Sequence, residues 1–281
     1  MTVQETSGAG TTRGMRIWHQ SFTVLEDLPA YSQLIQRHAQ RIVQPDTEVV
    51  LHGMRPGTYP SDYPGDHIRY SYLQRRHAQQ FIDAALQAQS EGYDAYFIST
   101  IPDVAFEDIR TLLDIPVVAY GHSSLLVAAT LAPRVGIVNF IKTLGPQLRR
   151  NAQSYGLGDL LGPVVQIEAQ FTDVTTGYSK PGPLIDAFTR AAREAIDAGA
   201  RAIIPGEGPL NIFLADHEIH KVDGVTVIDS IAAGLSMCEL RVNLHRSTGL
   251  SRSSGGLYFD QPPKELIEAV NNFYTNTNGE S

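Results

Sequence analysis

The feature that most constrains this chain is a passage that occurs twice. Ala88-Gln-Ser-Glu-Gly92-Tyr-Asp-Ala95-Tyr-Phe-Ile98-Ser-Thr100 lines up with Ala195-Ile-Asp-Ala-Gly199-Ala-Arg-Ala202-Ile-Ile-Pro205-Gly-Glu207. Each copy reads as the end of a helix, a glycine stop, a short buried strand and a polar loop. Another apolar run follows each, at Asp114-Ile-Pro-Val-Val-Ala-Tyr and at Gly224-Val-Thr-Val-Ile-Asp. Any two βα units share some of this pattern; a duplicated fold of two lobes is the sharper reading. In it, Thr100 and Glu207 stand at equivalent positions past the C-terminal ends of equivalent strands, where open α/β sheets bind ligands.

The remainder of the chain fits such a scheme. Short apolar runs predict strands at Met15–His19, Thr47–Leu51, Tyr96–Ser99, Val117–Tyr120, Val135–Phe140, Val164–Ala169, Ala202–Pro205 and Val225–Ile228. Helical spacing of apolar residues is clearest over Tyr72–Ser90, Leu184–Ala198 and Ile231–Thr248. Strands that alternate with helices imply parallel sheets covered on both faces. The 281 residues are enough for two lobes with a core each.

Charge and composition narrow the function. A net charge of −8 argues against nucleic acid as the main partner, since phosphate binding needs clustered Lys and Arg. The local pair Arg75-Arg76 reads as a solvated helix face. No apolar run approaches the ~20 residues that span a bilayer, and Met1–Gly14 is polar, without the apolar core of a signal peptide. A cytoplasmic location is expected. Cys238 is the sole cysteine, which excludes an intrachain disulfide and disfavours a cysteine metal site. Asp216-His217-Glu218-Ile-His220 has metal-like spacing, but no third ligand is evident, so it reads as a solvated helix end. There is no Walker loop, dinucleotide glycine fingerprint or nucleophile elbow in a suitable context. Neither a metal nor an organic cofactor is expected.

Five segments together carry a family resemblance: Met15-Arg-Ile-Trp-His-Gln-Ser, Glu91-Gly-Tyr-Asp-Ala-Tyr-Phe-Ile, Leu113-Asp-Ile-Pro-Val-Val-Ala-Tyr-Gly-His, Ala198-Gly-Ala-Arg-Ala-Ile-Ile-Pro-Gly and Val227-Ile-Asp-Ser-Ile-Ala-Ala. In this order and spacing, from Met15 to about Thr248, the chain resembles the hydantoin racemase branch of the aspartate/glutamate/hydantoin racemase superfamily. The echo and the resemblance together imply an α/β protein of two pseudo-symmetric Rossmann-like lobes with parallel sheets and an interlobe active-site cleft. The expected division is a disordered lead over 1–14, a first lobe over 15–120 plus 229–262, a second over 121–228, and a docking helix and tail over 263–281. A homo-oligomer acting on a small carbonyl or carboxylate compound is expected.

Members of that family typically carry a cysteine after each of the two equivalent strands. One thiolate takes a proton from a substrate carbon and the other thiol returns one from the opposite face. Here those positions hold Thr100 and Glu207, and Ile101-Pro-Asp-Val-Ala-Phe replaces a more glycine-rich loop. A threonine hydroxyl is too weak an acid to exchange protons near neutral pH, whereas a buried glutamate can. The pair is chemically one-sided. Cys238 falls inside a helical pattern, as a small core residue would.

Other residues at strand ends are candidates. The resemblance implies that His19, Gln20 and Ser21 hold the substrate's carboxylate or amide end, although His19 is equally readable as a structural histidine. His122 follows a strand end and is a candidate partner of Glu207. Ser123 and Ser124 either cap the next helix or, with its backbone N–H groups, hold an anion. Asp103 either orients a base or is a turn aspartate. Asp229, Gly206 and Gly208 complete the candidate set. Proton transfer beside a carbonyl, hydrolysis or decarboxylation in the same cleft, and non-catalytic binding all remain open on these residues.

Overall fold

A computed structural model describes residues 14–277 apart from positions 62, 142 and 170. The expected lead-in, except for Gly14, and the tail beyond Thr277 lie outside the described residues. The first sheet contains β1 (Met15–Gln20), β2 (Thr47–His52), β3 (Ala95–Ile98) and β4 (Val117–Ala119), in the order β2-β1-β3-β4, all parallel. The second contains β5 (Val135–Asn139), β6 (Leu161–Gln166), β7 (Ala202–Pro205), β8 (Lys221–Val222) and β9 (Val225–Val227), in the order β6-β5-β7-β9-β8. Among the described residues only the edge pair β8–β9 is antiparallel. Ignoring that edge strand, the two orders are the same, with β1, β2, β3 and β4 matching β5, β6, β7 and β9.

The helices are α1 (Pro29–Ile42), α2 (Gly65–Ile68), α3 (Ser71–Ser90), α4 (Phe106–Leu112), α5 (Tyr120–Ala129), α6 (Gly145–Ser154), α7 (Phe171–Gly177), α8 (Pro181–Asp197), α9 (Gly208–Asp216), α10 (Ser230–Thr248) and α11 (Lys264–Thr277). The repeated passage is repeated in hydrogen bonds as well. After α3, Gly92 N donates to Gln89 O and Tyr93 N to Ala88 O; after α8, Gly199 N donates to Ile196 O and Ala200 N to Ala195 O. Gly92 and Gly199 have φ of 75° and 101°, a region where a side chain is strained. Each helix is thereby stopped and turned into the strand that leads to the cleft.

One difference from the sequence expectation has a local cause. Tyr120 opens α5 and is not the end of a strand, because Asp103 accepts hydrogen bonds from the next two amides, Gly121 N at 2.7 Å and His122 N at 2.9 Å. Those are first-turn donors that a helix cannot satisfy itself. A helix forms at the C-terminus as α11, and Leu266, Val270, Phe273 and Tyr274 on it are exposed.

One long helix ties the halves together. α10 starts where β9 of the second sheet ends and packs against β1, β3 and β4 of the first. At Gly234 its backbone sits so close that a Cβ atom would lie 2.2 Å from the ring of Phe97 in β3. Phe97 is fully buried and has no room to yield. Overpacking of a filled core costs about 1–3 kcal/mol, so Gly234→Ala is expected to lower unfolding stability by that order, measured by urea denaturation. An unchanged midpoint would show that this contact is not tight.

Candidate active site

The site follows from how the two equivalent inner strands end. In the first sheet Gln20 pairs with Ile98, the last residue of β3; in the second Val138 pairs with Pro205, the last residue of β7. The next amide in each loop makes one more sheet-like bond, Ser99 N to Gln20 O at 2.9 Å and Gly206 N to Val138 O at 2.7 Å. The chain then leaves each sheet at the following residue, which is Thr100 in one case and Glu207 in the other. Gly206 permits this on the second side, since a Cβ there would lie 2.4 Å from Asn139 Cβ.

Thr100 and Glu207 line one small cavity, with Ser21, Thr23, Tyr31, Ser99 and Gly208 around them. Ser21 Oγ lies 2.5 Å from Thr23 Oγ1 and accepts from Thr23 N at 3.2 Å. A Cβ on Gly208 would come within 2.8 Å of the Tyr31 hydroxyl. Tyr63, from the loop before α2, and Phe171, at the start of α7, also line it; their rings stack with centroids 4.8 Å apart and planes 14° apart. With this stack in place the cavity is about 50 Å³, space for one or two water molecules.

Glu207 is 7 % exposed. Its Oε1 accepts from Phe140 N at 3.0 Å and Ile141 N at 3.1 Å, and the Tyr63 hydroxyl donates to Oε2 at 3.3 Å. Burial pushes the carboxyl pKa up from 4.5 to about 8, against the opposing pull of those three donors. The Tyr63 phenol is itself pushed up, by burial and then by the adjacent Glu207 carboxylate, so it stays a donor.

The other sequence candidates lie elsewhere, each in a defined place. His19 is buried beside Phe97, ring centroids 5.5 Å apart, with no hydrogen-bond partner for either ring nitrogen among the described residues; burial lowers its pKa to about 4. Gln20 alternates to the opposite face of the sheet, where its Oε1 accepts from Trp18 Nε1 at 2.9 Å. Asp103 is the buried cap of α5 and also accepts from the Tyr155 hydroxyl at 2.8 Å; burial raises its pKa to about 7. Ser123 and Ser124 both bond back to Tyr120 O within α5. His122 lines a different cavity, packed edge-on against Tyr155 at 4.8 Å. Asp229 caps α10 through Ala232 N, accepts from Asn211 Nδ2 and lies 2.7 Å from His38 Nε2. Burial alone would raise the Asp229 carboxyl, but these donors hold it below the usual range. Cys238 is fully buried in α10, and burial raises its thiol pKa. His217 turns its Nδ1 toward Phe213 O, and no group of three or more possible metal ligands occurs among the described residues.

Tyr63, Phe171, Tyr31, Thr23 and Ser99 were not visible as site residues in the sequence. The loop Thr58-Tyr-Pro-Ser-Asp-Tyr-Pro-Gly65 was the available signal for Tyr63, because prolines and a glycine around tyrosines mark a shaped loop rather than a linker.

Comparison with known proteins places the fold and the family. The sequence profile of the Asp/Glu/hydantoin racemase family matches residues 29–238. A hydantoin racemase of Pseudomonas sp. (strain NS671) is 26 % identical over 248 residues, 88 % of this chain and 93 % of that protein. Among solved structures, allantoin racemase from Klebsiella pneumoniae has a TM-score of 0.71 at 21 % identity, covering 89 % of this chain and 94 % of that one. Allantoin racemase from Pseudomonas fluorescens also gives 0.71, at 22 % identity, covering 89 % and 98 %. At these identities the structural likeness speaks to the fold.

The state of Glu207 has a measurable consequence for stability. Its folded pKa of about 8 exceeds the ordinary 4.5, so the native state binds this proton more tightly than the unfolded chain does. The resulting stability is complete below pH 4.5 and is lost as pH rises through 8. Glutamine cannot ionise. Glu207→Gln should therefore gain stability relative to the unsubstituted protein between pH 5 and pH 8.5, read from urea midpoints at both. Parallel pH curves would mean that the carboxyl titrates normally in the native state.

Proposed function

The chain belongs to the Asp/Glu/hydantoin racemase family, and we propose that it catalyses cofactor-independent proton transfer at a carbon beside a carbonyl or carboxylate of a small molecule, with Glu207 as the acid/base. One observation carries this reading. A carboxyl group whose pKa burial moves to about 8 lines a cavity at the end of an inner strand. A group poised near working pH can both take and give a proton. The phenols around it are held too high to exchange protons there, and Thr100 offers a hydrogen bond but no exchangeable charge.

The chemistry is as follows. The Glu207 carboxylate takes a proton from the substrate carbon, and the electron pair moves onto the carbonyl oxygen as an enolate. The Thr100 hydroxyl donates to that oxygen. The proton now on Glu207 then returns to a different atom of the delocalised enolate, which gives isomerisation or tautomerisation; returned to the same carbon from the same face it only regenerates the substrate. The raised pKa favours a second reading of the same residues. Near pH 7 the carboxyl is mostly protonated, so Glu207 is loaded to quench an enolate formed when a substrate carboxylate leaves as carbon dioxide. In both readings the Tyr63–Phe171 stack parts to admit substrate, since 50 Å³ holds no organic ring.

Hydantoin and allantoin are the substrates named by the relatives, so cyclic ureides head the screen, with small cyclic amides and substituted dicarboxylic acids after them. Incubation in deuterated water with mass-spectrometric readout separates the outcomes: deuterium at carbon without other mass change for isomerisation, loss of carbon dioxide with one deuterium gained for decarboxylation. On a confirmed substrate, Glu207→Gln should lower turnover roughly 10²–10⁴-fold with affinity largely kept, and Thr100→Val should lower it less. Turnover should survive EDTA. Near-full turnover in Glu207→Gln with loss in Thr100→Val would reverse the roles and point to a threonine nucleophile.

A further inference from the structure

We propose that the first lobe carries a second binding site, separate from the Glu207 cavity, for a small phosphate-bearing compound. The site is a cavity of about 510 Å³ between α4, the loop before β4, the C-terminal end of α10 and the strap 250–261 that follows it. It shares no lining residue with the Glu207 cavity. Its size falls within the range of small-molecule sites.

Charge is the first argument. The protein has a net charge of −8, yet this cavity gathers Arg110, Arg241 and Arg252, with His122 and His245 beside them, against the carboxylates of Glu107, which pairs with Arg110, and of Asp114. The Asp114 carboxylate already accepts from Gln261 Nε2 at 3.1 Å. A concentration of guanidinium groups opposed to the overall charge is the pattern of a site for an anion.

The individual arginines divide by what they already do. Arg252 holds the strap in place: it donates to Phe259 O at 2.7 Å, Ser253 O at 3.1 Å and Thr111 O at 3.2 Å. Carbonyls satisfy its N–H groups and leave its charge uncancelled. Arg110 is paired with Glu107 and lies over the rings of Phe106 and Phe259. Arg241 is different. It is half-buried, yet makes no hydrogen bond or ion pair among the described residues. A partly desolvated guanidinium with five unused donors is costly to keep unless a ligand meets it. Its charge is felt inside the cavity: burial, then Arg110 and Arg241, lower the pKa of His122 to about 4, which leaves that ring neutral.

The donors also select the ligand. Ser251, Ser253 and Ser254 also line the cavity and offer hydroxyls in addition to the planar fork of Arg241. A carboxylate has two oxygens to offer; a phosphate monoester has three beyond its ester link and up to two charges, which matches a guanidinium fork plus hydroxyls. The volume left beyond the anion suits the organic part of an ester.

Isothermal titration of the full chain tests this with four probes at equal ionic strength: glycerol phosphate, inorganic phosphate, malonate and chloride. Saturable binding of glycerol phosphate, tighter than malonate and absent for chloride, is expected. Inorganic phosphate binding as tightly as the ester would overturn the assignment of an organic phosphate, and malonate binding best would overturn the phosphate class. Arg241→Gln should weaken glycerol phosphate at least tenfold, and Arg241→Lys, which keeps the charge but loses the fork, should weaken it less. Arg241 holds no element in place, so both variants should fold, and circular dichroism checks that. Glu207→Gln should bind the ester as the unsubstituted protein does, which separates this site from the proposed catalytic one. No saturable binding, or equal affinity in Arg241→Gln, would overturn the proposal.

Discussion

The candidate site depends on one hydrogen bond made twice. The amide just past the end of an inner strand donates to the last paired carbonyl of its neighbour, Ser99 N to Gln20 O in one sheet and Gly206 N to Val138 O in the other. That bond keeps the loop in sheet geometry for one more residue, so the residue after it turns out at a fixed place. Two sheets of the same strand order then deliver two such residues to one cavity. Everything upstream serves this placement, from the glycine stops after α3 and α8 to the close approach of α10 at Gly234.

Within the cavity, two opposed effects act on Glu207. Two amides and a phenol donate to its carboxylate, and donors of that number can pull a carboxyl pKa below 2. Full burial raises one by up to 3–5 units. Burial wins here, and the pKa stands near 8. The aromatic stack is part of the reason, because Tyr63 and Phe171 close the space around the carboxyl to about 50 Å³. A carboxyl raised this far is a weak acid that holds its proton at neutral pH, and once ionised it is a stronger base than an ordinary carboxylate.

Strands and glycine stops were legible in the sequence because they are local: an apolar run between a glycine and a polar loop has few other uses. The placement of Thr100 and Glu207 in one cavity was legible because a repeat carries position without needing contacts. The remaining polar residues at strand ends were not, since alternation and capping decide their direction and neither is visible in one dimension. His19 and Gln20 are adjacent in β1 and point to opposite faces, one into the core and one to Trp18. Asp103 and Asp229 are consumed as helix caps, and the partners that show this are distant in sequence or belong to the next helix. Tyr63 reaches Glu207 across 144 positions, from a loop whose prolines and glycine mark a defined shape but not what it reaches.

The repeat also breaks where chemistry would begin, and the break has a direction. The register that equates Gln20 with Val138 equates Phe22 and Thr23 with Phe140 and Ile141. In the second lobe, the amides of that pair both hold the Glu207 carboxylate. In the first, the amide of Thr23 is taken by Ser21 Oγ, and the residue facing it across the loop is a threonine with no charge to hold. A pair of equal proton carriers reaches a substrate carbon from both faces, which inverts its configuration. A single carrier with a neutral hydroxyl opposite reaches it from one face only. On the proposed reading the enzyme therefore adds its proton to one face of a planar intermediate, so its product is a single stereoisomer and not a racemate. The fold keeps the symmetry of the family while the side chains remove the symmetry of the reaction.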